Sequence, residues 1–272
     1  VFDGLFAFEV ISMKIKSIVL TLMTLALVGC GGAGSSSTTT ADVCNELSDE
    51  VFSCDEMLID LVVEGAVPVA QDLEAKLADL DIKMTTYCND ISDGASLTAA
   101  QAAWTEAMVP LQQLQVMSFG PNINAETGLL PLYDWQTASL YFIDLAIATN
   151  AIASDSKLSR TDNEKDLVAV EYVLFDYAAV QADQFEDEIT EAWRTSKTGT
   201  QVQQEAQIQQ DRCDYSKLVT ESLKSHGAAL SSAWQQYDLG DSFSNKQVAV
   251  NQVAAALFYI DKITKDEKIK AV

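Results

Sequence analysis

The sequence predicts an all-α protein built as helix bundles, and three observations carry that expectation. Only 4 prolines and 12 glycines occur in 272 residues, so few positions break a helix. Hydrophobic residues make up 48% of the chain, enough for a sizeable core. Apolar side chains recur at helical spacing, and no run shows the apolar–polar alternation of a strand.

The elements follow in chain order. Residues 1–12, VFDGLFAFEVIS, precede Met13 and read as upstream translation outside the fold. Met13 is followed by Lys14, Lys16 and the apolar run SIVLTLMTLALVG, so 13–29 reads as a secretory signal. That run is shorter than the roughly 20 apolar residues a membrane span takes. Residues 30–42 begin with Cys30 and continue as the flexible tether GGAGSSSTTTA. The helical domain occupies 43–272.

Within it a first helix is expected over 45–64, ending at EGAVP, and Pro68 suits the first turn of a second, reaching about Tyr87. NDISDGAS is a loop. Ser96 begins a third helix with the stripe Trp104, Met108, Leu111 and Leu114, and Pro110 predicts a kink. SFGPNINAETGLLP breaks the chain, and a fourth helix runs over 132–151. The next covers 162–177 and opens on a capping-box pattern, Thr161 with Glu164. An acidic helix spans 181–196, and its Asp187 and Glu191 read as a solvated face. A long helix follows over 201–237, with the stripe Val219, Leu223, His226, Leu230, Ala233 and Tyr237. On this stripe His226 is expected to be a satisfied core histidine. The last helix, 245–265, carries Val250, Val253, Leu257 and Ile260, an apolar face that needs a partner. Either it docks on earlier helices or the natural chain continues, and the second is the expectation. The four tryptophans, Trp104, Trp135, Trp193 and Trp234, are expected in the core.

The formal net charge is −23, from 40 acidic and 17 basic residues. Such a field repels phosphates and argues against a nucleic-acid partner. Apart from Cys30 there are four cysteines, Cys44, Cys54, Cys88 and Cys213, and in an exported protein an even number suggests two disulfides. Three pairings are possible. Cys44–Cys54 would close a local loop and leave Cys88–Cys213 as a long-range staple. With a single histidine and these spacings a zinc site is not expected. No H-E-x-x-H, G-x-S-x-G, Walker or Rossmann pattern occurs.

One residue stands out. Glu171, in LVAVEYVLF, has Leu167, Val168, Leu174 and Phe175 one helical turn away, all apolar. A carboxylate on such a face is either buried with a partner or at the rim of a cavity. Among the three arginines, Arg160, Arg194 and Arg212, the expected partner is Arg212 in DRCDY. On that reading Glu171→Gln destabilises, because it leaves a buried cation unpaired.

Six segments, DLVVEGAVPVAQDLEAKLADLDIKMTTYC, AWTEAMVPLQQLQVMSFGP, LYDWQTASLYFID, LVAVEYVLFD, DRCDYSKLVTESL and ALFYIDKITKD, resemble the imelysin-like family in order. The resemblance spans most of residues 58–267. LVGC at 27–30 likewise resembles the bacterial lipobox, whose cysteine is lipidated. The family is a set of bacterial envelope proteins, many of them lipoproteins, tied to iron uptake and first classed as metallopeptidases. Its fold is helical with two bundle-like halves, much of the second expected to be missing here.

The family signature is GxHxxE on a helix, where His and Glu lie one turn apart and reach one metal ion. Here Asp166 stands at the Gly position, Val168 at the His position and Glu171 at the Glu position. Gln136 follows Trp135 where many relatives have Trp-Pro. The resemblance implies a non-catalytic protein, lipid-anchored through Cys30, that binds metal or serves iron uptake. The alternative is an interaction scaffold whose metal site has decayed, and a metallopeptidase comes last. The implied ligand site is Glu171 with Asp144, taking iron or another hard cation, supported by Arg212 and Trp135. The implied partners are the membrane, through the anchor, and other iron-uptake proteins of the envelope. With no Asp directly after Cys30, the expected location is the periplasmic side of the outer membrane.

Overall fold

The computed structural model of the chain describes residues 54–133, 140–152, 165–175, 188–238, 250–256 and 258. Its described elements are α1 (Cys54–Asp60), a π turn (Leu61–Ala66), α2 (Val67–Asn89), α3 (Gly94–Val116), 3-10 turns at Gly120–Ile123 and Leu130–Leu132, α4 (Leu140–Ile152), α5 (Leu167–Phe175), α6 (Glu188–Thr195) and α7 (Gln201–Gln235). Residues 250–256 are also helical. The described residues contain no strand, and the fold is all-α. Among them no helix is long and apolar enough to cross a membrane. The signal segment, tether, Cys30, Cys44, Trp135 and Asp187 lie outside the described residues, and so therefore does a Cys44–Cys54 bridge.

α2 is the central helix. Ala70, Leu73, Leu77, Leu80, Met84 and Tyr87 recur at alternating spacings of three and four and are all buried. It packs against α3 and, over a long seam, against α7. α7 spans 35 residues, about 52 Å, and also meets α4 and α5. α5 rests on α3, and α6 on α4.

The expected break between 64 and 68 is corrected. The chain stays helical from Cys54 to Asn89, because a π turn at Leu61–Ala66 absorbs Gly65 and leads into Pro68. The Val67 N–H donates to the Val62 carbonyl, five residues back. The widened turn places Pro68, which has no N–H, in the first turn of α2. α3 begins at Gly94 rather than Ser96, since the Asp93 side chain accepts from the Ala95 N–H at 3.0 Å. It runs through Pro110 as one element.

The buried ridge of α7 is also displaced from the expected stripe. Val219, Leu223 and Leu230 are buried, whereas His226, Ala233 and Tyr237 are only half-buried. The ridge includes Arg212, Ser216, Thr220, Gly227, Ser231 and Trp234, many of them polar or small. Those residues satisfy neighbours across the seam, as when the Thr220 hydroxyl donates to Asp81 at 3.1 Å. Lys224 donates to the other oxygen of Asp81.

The turn after α3 is pinned by Asn122. Its Nδ2 donates to the Leu114 and Met117 carbonyls at 2.9 and 2.8 Å, capping the end of α3. Its Oδ1 accepts from buried Trp234 Nε1 at 2.8 Å, which ties the turn to α7. Trp193 is buried as expected, and its indole N–H donates to Asp211, holding α6 against α7. Trp104 is only half-buried.

Cys88 and Cys213 are joined by a disulfide with Cα atoms 5.3 Å apart. It links the last turn of α2 to α7. Beside it Gln209 Nε2 donates to the Tyr87 hydroxyl at 3.1 Å, and Gln210 Nε2 to the Cys88 carbonyl at 3.3 Å.

At Gly227 the helices α2 and α7 approach closely. A Cβ there would stand 2.6 Å from Leu77 Cδ1 and 3.6 Å from the Glu74 Cα. Gly227→Val is expected to lower stability by about 1–3 kcal/mol through overpacking. Thermal unfolding checks this, and an unchanged melting temperature would mean the seam is looser than its geometry.

Candidate functional site

Three elements bring one acid, one base and one phenol together in the core. α4 is apolar around Asp144, with Ile143, Ala146, Ile147 and Ala148 all buried. Asp144 is itself buried, and so is Arg212 on α7. Arg212 Nη2 lies 2.7 Å from each Asp144 oxygen, and Nε donates to Oδ1 at 3.1 Å. The Tyr172 hydroxyl, from α5, donates to Asp144 Oδ2 at 2.8 Å and stands 2.6 Å from Arg212 Nη2. The guanidinium also sits 4.9 Å from the Tyr172 ring centroid. Charge-assisted bonds of this kind are the strong ones, and they offset the cost of taking both ions out of water. One turn along α7, the Ser216 hydroxyl is buried with no hydrogen-bond partner among the described residues.

This arrangement corrects the expected Glu171–Arg212 pair. Arg212 is held by Asp144 and Tyr172. Consecutive residues on a helix point about 100° apart, so the face of α5 that aims Tyr172 at Arg212 turns Glu171 elsewhere. The oxygen site expected between Glu171 and Asp144 loses a member for the same reason, because the Asp144 charge is already balanced inside the protein.

Glu171 is half-buried, at the rim of the core rather than within it. Leu167 and Leu174 beside it are buried, Val168 is half-buried and Phe175 is exposed. Among the described residues it makes no hydrogen bond or ion pair. Burial pushes its carboxyl pKa above the usual value. Nearby, half-buried Tyr133 is pushed up to about 12, first by burial and then by the charges of Glu171 and Asp166.

Asp166, at the Gly position of the motif, is fully buried. Its Oδ1 accepts from the Val168 and Ala169 N–H groups at 2.9 and 3.2 Å. Asp166 therefore caps the described start of α5, while Thr161 and Glu164 lie outside the described residues. α3 holds the helix at both ends. Trp104 Nε1 donates to the Leu167 carbonyl at 2.9 Å and Gln101 Nε2 to that of Leu174 at 2.7 Å. The Trp104 and Phe175 rings meet edge-on, 5.3 Å between centroids.

The donor set does not fit the metal centre that the motif implies. Val168 has no donor atom, Asp166 spends an oxygen on the cap, and Asp144 is bound to Arg212. Among the described residues no three His, Cys, Asp or Glu side chains are grouped to hold a metal ion. His226 is engaged elsewhere, its Nε2 lying 2.9 Å from the Gly128 carbonyl. Trp135, expected to line the site, lies outside the described residues.

Sequence reasoning singles out neither Tyr172 nor Tyr133, and it reads Asp166 only as a departure at the Gly position of the motif, not as a cap. A usable signal existed for the first pairing. Asp144 and Arg212 are opposite charges, each isolated on an apolar or small-residue helix face, and each therefore needs the other. Tyr133 carries no such mark, since its neighbours come from a distant segment.

A family model described as "Peptidase_M75: Imelysin" matches residues 66–272. No curated protein matches the chain, and no solved structure does.

Proposed function

The chain belongs to the imelysin family, and from that premise we propose that it is a non-catalytic binding and interaction protein of the bacterial envelope, anchored through Cys30 and serving iron uptake. The observation that carries this reading is the commitment of its ligand set. The motif histidine is Val168, and the Asp144 carboxylate is neutralised by Arg212. A metallopeptidase needs about three protein ligands, an open position and a general base. That supports an interaction role over catalysis, and the proposal sets that role at the periplasmic face of the outer membrane, beside other iron-uptake proteins.

The test is calorimetry with ferric iron and with calcium on the chain from residue 31 onward, wild type beside Glu171→Gln. No saturable heat in either protein is the expected result. Saturable binding in wild type that disappears in Glu171→Gln would overturn the reading. It would restore the second one, a metal site on α5, which the half-buried carboxyl of Glu171 favours.

The same variant makes a stability prediction. The folded pKa of Glu171 is raised above its ordinary value of 4.5. Between those two values the folded state binds more protons than the unfolded state, so stability falls as pH rises. Above the folded pKa the penalty is complete, and below 4.5 it is absent. Glu171→Gln is therefore expected to melt at a slightly higher temperature than wild type at neutral pH, the two converging in acid. Solvent screening keeps the effect small. A variant that melts lower at neutral pH would instead assign the carboxylate a stabilising partner, as the sequence reading expected.

A further inference from the structure

The outward side of α5 carries one carboxylate among aromatic rings. Val168, Glu171 and Phe175 follow one another at about one helical turn on that side. Val168 and Glu171 are half-buried, and Phe175 is 49% exposed, so the face is within reach of a ligand. We propose that this face binds a primary alkylammonium group, the chemistry of a lysine side chain or of a small free amine. The nitrogen would meet Glu171 and the Tyr133 hydroxyl, and the alkyl stem would lie against the Trp104 and Phe175 rings. The proposal rests on the reading above that no metal holds this face, and it names the ligand class the face takes instead.

Four features point to that class. The first is the state of Glu171. Among the described residues no cation stands against its carboxylate, and burial is the one influence on its titration. Asp144 shows the contrast, since there the protein supplies its own counter-ion, Arg212. A carboxylate partly withdrawn from water and left without a cation is completed by one that arrives from outside. The second is the aromatic frame. Trp104 Nε1 donates to the Leu167 carbonyl at 2.9 Å, the carbonyl that a helix pairs with the N–H of residue 171. The same indole meets the Phe175 ring one turn further on, 5.3 Å between centroids. The indole therefore runs along the two turns that have Glu171 between them. Tyr133 lies within electrostatic reach of the same carboxylate, whose charge, after burial, raises its hydroxyl pKa. Ammonium groups are attracted to aromatic faces, and a neighbouring carboxylate adds the counter-charge.

The third feature is what the face does not suit. A hard metal ion takes six or more oxygens, whereas among the described residues no three His, Cys, Asp or Glu side chains group to hold one. An anion is opposed by Glu171 and by the field of a chain with net charge −23. A primary ammonium has three donors, enough for one carboxylate and one phenol, and its stem gives the rings an apolar partner. The fourth is preorganisation. α3 holds α5 through the Leu167 carbonyl and through that of Leu174, to which Gln101 Nε2 donates at 2.7 Å. Helix, indole and carboxylate are thus set in place before a ligand arrives.

The experiment titrates the whole chain with butylammonium and, beside it, with 1-butanol, a neutral molecule of the same length, following ligand saturation transfer by NMR. Ionic strength is fixed with sodium chloride, which holds the general attraction of an acidic chain for cations constant. Saturable binding of butylammonium and none of butanol at equal concentration is expected. Glu171→Gln is expected to weaken binding by at least about tenfold and Phe175→Ala by about two- to fivefold, and an unchanged helical circular dichroism spectrum shows that both fold. No saturation with butylammonium overturns the proposal. Equal binding of butanol overturns it too, in favour of a plain apolar patch, and neither outcome needs a variant. Unchanged affinity in Glu171→Gln overturns the placement at α5. Nα-acetyl-lysine methylamide separates the sources: if it binds as butylammonium does, a partner's lysine fits the face, and if it is refused while butylammonium binds, the ligand is a free amine. The metal test fails separately, because iron bound at Glu171 overturns the earlier reading, whereas absence of both iron and amine binding overturns only this one.

Discussion

Asp144→Asn is expected to lower the unfolding free energy by about 3–5 kcal/mol, because it strands the Arg212 guanidinium in the core. The amide keeps the shape of the carboxylate and removes only its charge. Arg212 is buried, and its Nη2 makes short bonds to Asp144 Oδ1, Asp144 Oδ2 and the Tyr172 hydroxyl at 2.6–2.7 Å. Water cannot replace those partners without opening the junction of α4, α5 and α7. Arg212→Met should cost a similar amount, since it leaves the Asp144 carboxylate unpaired.

The double variant Asp144→Leu with Arg212→Met distinguishes the pair from its parts. It removes both charges and refills the space with apolar atoms, so its loss should be well below the sum of the single losses. Urea unfolding of wild type, Asp144→Leu, Arg212→Met and the double variant measures the coupling. Strictly additive losses would mean that the two residues do not act on one another, and the assignment of the junction would fall. Tyr172→Phe belongs in the same series. It deletes one donor from Asp144 and should cost about 1–3 kcal/mol.

Loss of the Cys88–Cys213 bridge is the second large effect, expected at about 2–5 kcal/mol for the paired alanine variant. The bridge spans 125 residues of sequence, and constraint of the unfolded chain grows with loop length. The native side of the balance changes little, because other bonds hold the same place. Gln209 and Gln210 keep α7 on the end of α2 through Tyr87 and the Cys88 carbonyl. Both cysteines are buried. Reduction is therefore expected to need partial opening of the helix pair. The measurement is urea unfolding with and without dithiothreitol, with the alanine pair as the reference that reductant cannot affect. Equal midpoints for oxidised and reduced wild type would show that the bridge contributes no stability.

The two predictions meet in one region. Arg212 and Cys213 are adjacent on α7, so one residue sends its charge to α4 while the next is bonded to α2. α7 is thus fixed on two sides at one point, and α5, which carries Glu171 at the rim of the core, packs against it.

What the sequence determined by itself was the helical class, most helix positions and the family. Those follow from local spacing and from ordered segments that survive without knowledge of contacts. It also showed that the motif had lost its histidine, because Val168 can be read directly. It pointed to Asp144, Glu171 and Arg212 as charges on faces that do not favour charge. Tertiary structure alone decided who meets whom. The azimuth of α5 sends Tyr172 inward and Glu171 to the rim, a choice made by packing against α3 and α7 rather than by spacing along α5. The same holds just before Pro68, where the sequence reads a break between two helices and the fold continues through a π turn. A local signal states what a residue prefers, whereas a long-range pair such as Asp144 and Arg212 depends on the crossing of helices 68 residues apart in the chain, and only their packed geometry sets that.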